Sequence, residues 1–344
     1  MNPEATNPGP ALVHGTTLVP ARSPLAHRIL IGRDGLRAGW SLLIFITLFA
    51  GILYAAKYVT HKIDPNARNA AKSGLEIPAK AAILRESVPL LAVLLLTWIM
   101  SKIERRPNSV YGLGGQRKVT NFFAGLASGI VCLSLLVGTL WKAGLLVFDG
   151  RLLFGGDILR YGTTWLLAFL LVGLIEEYLT RGFVQYTLTR GLAGLYRLAF
   201  KTRHSEALGF WTAAVILSFL FGFSHRTNPG ESPLGMLSAG LGGMVFSLAL
   251  WRTGSLWWAI GIHTSWDWSQ SFLYGVADSG LMAQHHLFAT HPVGKPILSG
   301  GTTGPEGSIF IVAIIGLISL IIFLTLPRTR PVATLDAELP IRSV

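Results

Sequence analysis

Residues 173–183, GLIEEYLTRGF, determine how the rest of this chain is interpreted. Glu176, Glu177 and Arg181 follow directly on the apolar run 165–175, WLLAFLLVGLI, in a stretch predicted to be helical. An ionised side chain within hydrocarbon costs roughly 2.5–3.5 kcal/mol on insertion scales. Such residues persist there where they pair, face water or take part in chemistry, so this stretch is the first candidate for a functional site.

The composition around this stretch is that of a membrane protein. The chain has 344 residues, of which 51% are hydrophobic and 13% charged, whereas a soluble domain carries about 25% charged residues. Eight apolar segments are long enough to be helices of a bundle, and we predict an all-α, polytopic membrane helical bundle over residues 36–326. The predicted transmembrane helices are 36–58, 81–100, 122–148, 161–189, 208–225, 234–250, 255–274 and 309–326.

The charged residues lie mainly outside these segments and give a formal net charge of +12. We therefore expect contacts with membrane lipids, and no nucleic acid as a partner, because basic loops are typical of membrane topology and anionic head groups. Residues 1–35 are predicted to be a mobile basic tail and residues 327–344 a disordered tail. The even helix count and the distribution of Lys and Arg favour both termini on the inner side. Residues 278–308 are predicted to be a long loop.

Residues four apart share one face of a helix, and this spacing recurs in three of the predicted helices. Glu177 and Arg181 form such a pair, in the favourable order with the acid first. Glu176 points about 100° away from this pair, so we assign a structural ion pair to Glu177 and Arg181 and the chemistry to Glu176. Two further pairs have the same spacing: Phe221 with His225, and His263 with Asp267.

These groups suit hydrolysis of a peptide bond within the membrane. A carboxylate in an apolar pocket is a suitable general base for water, and Glu176 with His225 would activate that water. His263 would polarise the scissile carbonyl. Phe221 is predicted to pack beside His225. A difficulty is depth, because a helix over 161–189 places Glu176 further from the outer surface than His225.

The three patches resemble the signature of the CAAX-protease and bacteriocin-processing family of intramembrane proteases, which includes the type II CAAX prenyl endopeptidase. Its pattern is Glu-Glu-x-x-x-Arg, then Phe-x-x-x-His, then His-x-x-x-Asn or Asp, on successive helices. In this chain these motifs are residues 176–181, 221–225 and 263–267, and the resemblance covers roughly 160–275, the expected catalytic core. The resemblance implies an integral, multi-pass endopeptidase, with a bacterial plasma membrane as the expected location and a membrane-associated protein or peptide as substrate.

Carried over by position, the resemblance implies Glu176 and His225 as the water-activating pair, and His263 with Asp267 on the oxyanion side. Asp267 stands where the prenyl endopeptidases have Asn. An ionised Asp accepts hydrogen bonds and cannot donate one to an oxyanion. We therefore expect Asp267 to orient His263 or to be protonated, and a prenylated substrate does not follow.

Members of this family have been described both as metalloproteases and as glutamate proteases. Zinc favours three or four ligands of the kinds present here, and such a set would be Glu176, His225, His263 and Asp267. The chain lacks an HExxH arrangement. We predict a metal-independent general base and no cofactor, with zinc as the alternative.

Two other classes of function remain open. Glu176, His225 and Asp267 would also serve as the relay of a proton-coupled transporter or channel. Transporters of that kind often contain repeated halves, and no such symmetry is evident in the sequence. The third hypothesis is a non-catalytic membrane scaffold or immunity protein that keeps the motif without turnover.

Overall fold

A computed structural model describes residues 29–32, 35–63 and 76–327. Its helices of more than ten residues are α1 Ala38–Ile63, α2 Ala79–Ile103, α3 Lys118–Lys142, α4 Gly156–Glu177, α5 Gln185–Phe200, α6 Ser205–Ser224, α7 Pro233–Thr253, α8 Trp257–Trp268 and α9 Ile311–Thr325. Among the described residues, six helical stretches are long and apolar enough to cross a membrane, and α9 is a shorter apolar helix. The chain is therefore an integral, multi-pass membrane protein built as a helical bundle, as predicted.

Each of the eight predicted helices corresponds to a helix in the structure, but the fourth is much longer than predicted. A π-helical segment, Tyr178–Val184, joins α4 to α5, so one helical stretch of 45 residues runs from Gly156 to Phe200. At 1.5 Å per residue this stretch is about 67 Å long, against a hydrocarbon core of about 30 Å. Its length therefore exceeds one membrane crossing, and its first residue does not mark the membrane surface.

Helix α8 lies in the interior of the bundle, with most of its residues buried. Helix α3 packs closely on it through glycines on both sides of the contact. A Cβ at Gly125 would lie 2.2 Å from the carbonyl oxygen of Trp258, and one at Gly261 would lie 2.2 Å from the carbonyl oxygen of Phe122. Side chains at these positions would force the helices apart, so glycine keeps α8 central.

Large apolar side chains point outward from the bundle while polar ones lie inside it. Leu84 on α2, Phe219 on α6 and Leu324 on α9 are 72%, 68% and 71% exposed. By contrast, Glu177 and Arg181 are 0% and 1% exposed. Apolar side chains exposed on the outside of the bundle suit contact with lipid chains rather than water.

Short strands tie the connecting segments together. The strands are β1 Ile31–Gly32, β2 Gly35–Leu36, β3 Glu76–Ile77, β4 Leu146–Arg151, β5 Met282–Ala283 and β6 Phe288–Pro292. β1 and β2 pair antiparallel, β3 pairs parallel with β5, and β4 pairs antiparallel with β6. The segment predicted as a plain loop at 278–308 thus contains two strands that pack on distant parts of the chain.

The predicted tails lie almost entirely outside the described residues. Of the tail predicted at 1–35, only 29–32 and Gly35 are described, and of the tail predicted at 327–344, only Pro327 is described. These predictions are not tested by the structure.

Candidate functional site

A cavity of ≈ 340 Å³ lies among α2, α4, α6, α7, α8 and α9. All three sequence motifs contribute to its wall. The motif residues that line it are Glu176, Phe221, His225, His263 and Asp267. The structure therefore brings together the side chains that the sequence singled out, from three separate helices. Glu177 and Arg181 lie buried behind this wall.

The chain reversal after Phe200 explains why Glu176 and His225 lie at one depth. Helix α6 returns alongside α5, and a Cβ at Gly209 would lie 2.8 Å from the carbonyl oxygen of Thr189 and 2.7 Å from the amide nitrogen of Ala193. His225 lies about sixteen residues after Gly209 along α6. Glu176 lies about the same number of residues before the turn at 189–193 that Gly209 contacts, so the two antiparallel helices bring these residues to a similar level. The depth mismatch expected from a helix over 161–189 does not arise.

Glu177 holds two partners at once. Its Oε1 accepts a hydrogen bond from Nη1 of Arg181 at 2.9 Å and another from Nδ1 of His263, also at 2.9 Å. The ion pair with Arg181 is the one predicted from the i,i+4 spacing. The bond to His263 was not predicted from the sequence, because nothing in the spacing within one helix indicates a contact between two helices.

This bond fixes which nitrogen of His263 faces the cavity. A carboxylate only accepts, so Nδ1 of the neutral imidazole carries the hydrogen and Nε2 carries the lone pair. Nε2 lies 3.7 Å from Oε2 of Glu176 and 3.6 Å from Oδ2 of Asp267. Glu177 is thus the residue that hydrogen-bonds the ring, whereas Asp267, expected either to orient His263 or to be protonated, lies beside the other nitrogen.

Arg181 is accommodated in the interior by aromatic rings and a glycine. Its guanidinium carbon lies 4.2 Å from the ring centre of Phe221 and 5.5 Å from that of Phe246. A Cβ at Gly243 would lie 2.5 Å from Nη2 of Arg181, so a larger residue there would displace the guanidinium. Phe221 also packs edge-on against His225, with ring centres 4.9 Å apart. The predicted packing role of Phe221 therefore extends to the buried cation.

His225 follows the last residue of α6. Its Nδ1 lies 2.8 Å from the carbonyl oxygen of Phe221, one turn earlier, and a carbonyl requires a donor there. In the neutral ring Nε2 is then the unprotonated nitrogen, as in His263. Between the described side chains of Glu176 and His225 there is no direct hydrogen bond, and the two groups meet only across the shared cavity.

The helices that carry Glu177 and Asp267 each change to a π-helical segment just after these residues. The π-helical segment Tyr178–Val184 begins directly after Glu177, and a second one, Ser269–Leu273, begins two residues after Asp267. The hydroxyl of Thr180 donates to the carbonyl oxygen of Glu176 at the start of the first. Segments of this kind interrupt regular backbone bonding and are frequent at functional sites.

Three further carboxylates line the cavity without having been assigned to the site from the sequence: Glu86 on α2, and Asp278 and Glu306 in the connection between α8 and α9. The hydroxyl of Ser271 donates to Asp278 at 3.2 Å, and the amide and hydroxyl of Ser279 donate to Glu306 at 2.5 and 2.8 Å. Burial, with the nearby Glu306 carboxylate, raises the pKa of Asp278 well above its usual range, and burial also raises the pKa of Glu306. Asp278 and Glu306 lie in a Gly-rich segment that was predicted as a loop, and nothing in the sequence indicated that they line the cavity.

The side chains do not fit a metal centre. Within the parts of the chain that the structure describes, no group of three or more His, Cys, Asp or Glu residues is placed to hold a metal ion. The alternative set of zinc ligands, Glu176, His225, His263 and Asp267, thus lines one cavity without forming a coordination site.

Residues 158–269 match the family model for the type II CAAX prenyl endopeptidase Rce1-like proteins. The matched part contains all three motifs and the helices that carry them. No curated protein and no solved structure matches the chain. Glu86, Asp278 and Glu306 lie outside the matched range, although they line the same cavity.

Proposed function

Residues 158–269 form a domain of the Rce1-like CAAX protease family, and from this premise we propose that the chain is an intramembrane endopeptidase. It hydrolyses a peptide bond of a membrane-associated protein or peptide by means of a water molecule activated by Glu176 and His225. The observation that carries the proposal is the shared cavity, in which a general base and two oriented imidazoles face one another inside an apolar bundle. The proposed catalytic core remains residues 160–275, as expected from the sequence.

Glu176 has the position and the exposure of a general base. Its side chain is 38% exposed, and it lines the cavity, whereas its neighbour Glu177 is held by two hydrogen bonds. In the proposed step Glu176 takes a proton from water while the water oxygen attacks the carbonyl carbon. The carbon–nitrogen bond then breaks, and the proton is delivered to the leaving amine.

His225 and His263 are proposed to act on opposite sides of the reacting carbonyl. Nε2 of neutral His225 can accept a hydrogen bond from the attacking water and so orient it. His263 can donate from Nε2 to the developing oxyanion only when the ring carries a second proton, since Nδ1–H is already bonded to Glu177. A protonated Asp267 would be a second donor on that side.

Glu177 and Arg181 are proposed as positioning residues that act through His263. Arg181 balances the charge of Glu177, and together they keep the imidazole in one orientation beside the cavity. For topology we retain the proposal that both termini lie on the inner side of the membrane.

The test uses the full chain purified in detergent and in liposomes. A library of quenched-fluorescent peptides is expected to be cleaved by the wild-type protein and not by Glu176→Ala or His225→Ala. Asp149→Ala serves as the control, because this carboxylate is 46% exposed and lies in β4, away from the cavity. Thermal unfolding of each variant checks that the fold is retained.

Cleavage that survives Glu176→Ala would remove the proposed general base. Proton flux through the liposomes without cleavage would favour a transporter. Binding of a partner protein that is unchanged by Glu176→Ala, again without cleavage, would favour a scaffold.

A further inference from the structure

The cavity wall is strongly acidic in a way that the proposed hydrolysis does not require. Five carboxylates line the cavity, those of Glu86, Glu176, Asp267, Asp278 and Glu306. Among the described residues the only Lys or Arg in this lining is Arg85, which is 70% exposed and contacts Glu86 at 3.4 Å. Hydrolysis itself needs one carboxylate as the base, so the others require a separate explanation.

Asp267 is a buried carboxylate that lacks a donor. It is 8% exposed, and no described residue donates a hydrogen bond to its side chain. Nε2 of His263 lies 3.6 Å from its Oδ2, and in the neutral ring this nitrogen also accepts rather than donates. Asp267 lines the cavity, so a group that enters the cavity can donate a hydrogen bond to this carboxylate when it is ionised.

Asp278 and Glu306 line the same cavity, and Glu306 is hydrogen-bonded to Ser279, the residue next to Asp278. Each accepts from a serine, and each keeps further acceptor capacity, since a carboxylate has about four lone-pair sites. Burial raises the pKa of both groups, because it disfavours uncompensated negative charge. A cation that entered the cavity would compensate this charge.

The geometry favours an organic cation over a metal ion. Among the described residues, no group of three or more His, Cys, Asp or Glu is arranged so that it could hold a metal ion. A protonated amine or a guanidinium carries several N–H donors and can bridge carboxylates that are further apart. The adjoining wall is apolar, formed by Ile311, Ile315 and Ile318 on successive turns of α9, which suits the methylene stem of a Lys or Arg side chain.

We propose that Asp278 and Glu306, beside Asp267, form a subsite for a positively charged side chain of the substrate, so that the enzyme selects peptides with Lys or Arg near the scissile bond. This proposal rests on the proposed function for its link to cleavage. Its binding component does not depend on turnover, and that separates the two experimentally.

The test compares peptides that differ at one position. Decapeptides with an acetylated amino terminus and an amidated carboxyl terminus carry Lys, Gln or Glu at each position in turn. Their binding is measured by fluorescence anisotropy on the full-length Glu176→Gln protein in detergent. At the favoured position the Lys peptide is expected to bind about tenfold more tightly than the Gln peptide, and the Glu peptide more weakly still.

The acidic wall is then neutralised with near-isosteric changes in the same Glu176→Gln background. Asp278→Asn with Glu306→Gln is expected to remove most of the Lys preference while leaving the affinity of the Gln peptide within about twofold. Asp157→Asn, an exposed carboxylate in the first turn of α4, is the matched control and should retain the preference. Equal affinity for Lys, Gln and Glu peptides at every position, or a Lys preference that survives the double change, would overturn the subsite.

The failure of each proposal has its own signature. A charge preference in binding without cleavage by the wild-type protein would remove the protease and keep the subsite. Glu176-dependent cleavage with no charge preference would keep the protease and remove the subsite. A preference for Na⁺, Ca²⁺ or Zn²⁺ over the Lys peptide, seen as competition by the metal alone, would also count against an organic cation.

Discussion

Two glutamates in this bundle, Glu104 and Glu177, are both buried against arginine, but they differ in their other hydrogen-bond partners. Glu104, just after α2, is 6% exposed and accepts hydrogen bonds from the hydroxyl of Ser41 at 2.5 Å and from Nη2 of Arg190 at 3.2 Å. Glu177 is 0% exposed and accepts from Arg181 and from His263, each at 2.9 Å. Each acid thus accepts hydrogen bonds from one arginine and one further donor, and Glu104 has a second arginine, Arg106, at 3.7 Å.

The further donor and the adjoining space make the difference. Glu104 joins α1, α2 and α5 through a hydroxyl and a guanidinium, neither of which transfers protons near neutral pH. Glu177 holds an imidazole whose other nitrogen faces a cavity. A buried acid–arginine pair is therefore compatible with a purely structural role, and the imidazole beside open space is what indicates chemistry.

The largest expected effect comes from removing the base beside this pair. Glu176→Gln should lower the rate of peptide cleavage by about 10²–10⁴-fold, the usual contribution of a general base, with little change in thermal stability. The measurement is kcat on a cleaved peptide together with the unfolding midpoint in detergent. The control is Glu104→Gln. If both variants lose cleavage per folded molecule, the proposed difference between a catalytic and a structural glutamate is wrong.

Glu104→Gln should act on stability instead. Breaking a buried charge pair costs about 3–5 kcal/mol because the arginine loses its counter-charge. Arg106, whose Nε lies 3.7 Å from Glu104, would be affected as well. We expect a clearly lower unfolding midpoint and an unchanged kcat for the fraction that stays folded. An unfolding midpoint equal to that of the wild type would show that Glu104 is not a structural anchor.

Glu177→Gln tests whether the buried pair of Glu177 and Arg181 acts through His263. The amide keeps one acceptor oxygen, so the bond to His263 can persist, but Arg181 loses its counter-charge and the ring is less firmly oriented. Misplacement of a catalytic group by about 1 Å costs on the order of 10²-fold, and we expect a fall in kcat of about 10–100-fold.

A structural role alone would not change the protonation of the imidazole. The pH dependence of kcat, compared with that of Glu104→Gln, therefore provides the distinguishing measurement. If the two variants have the same pH profile as the wild type, Glu177 does not act through His263.

The smallest expected effect concerns pH and Asp278. Burial raises the pKa of this carboxyl in the folded protein, so folding favours its protonated form. The stabilisation is complete below the unfolded pKa of about 3.9 and is lost as the pH rises through the raised folded value. Asp278→Asn should flatten the decline in the unfolding midpoint as the pH rises above about 4. Asp157→Asn is the control, and an unchanged decline in Asp278→Asn would contradict the burial of charge there.

The sequence predicted the parts of this structure that follow from local periodicity. Apolar runs located the eight helices, and the i,i+4 spacing identified the bond between Glu177 and Arg181. Both depend on one helix at a time. The bond between Glu177 and His263 depends on how two helices are rotated against each other, which the spacing does not record.

The longer segments were predicted less well, for a physical reason. The helix from Gly156 to Phe200 exceeds a bilayer's thickness, and a prediction based on hydropathy ends it where polar residues begin. Asp278 and Glu306 lie in irregular segments, whose positions depend on strand pairing such as that of β3 with β5. No periodic signal places such residues.

The β3–β5 pairing has a consequence for how this protein can be divided. It bonds the residues that precede α2 to a segment two hundred positions later, and Ile77 and Ala283 from these strands both line the cavity. The stretch that matches the family model, 158–269, contains neither strand and neither the second helix nor the ninth. Transplanting that stretch alone into another bundle would leave the cavity without two of its sides. A segment that supplies every wall of the cavity extends from β3 to the end of α9, and α1 adds the bond from Ser41 to Glu104.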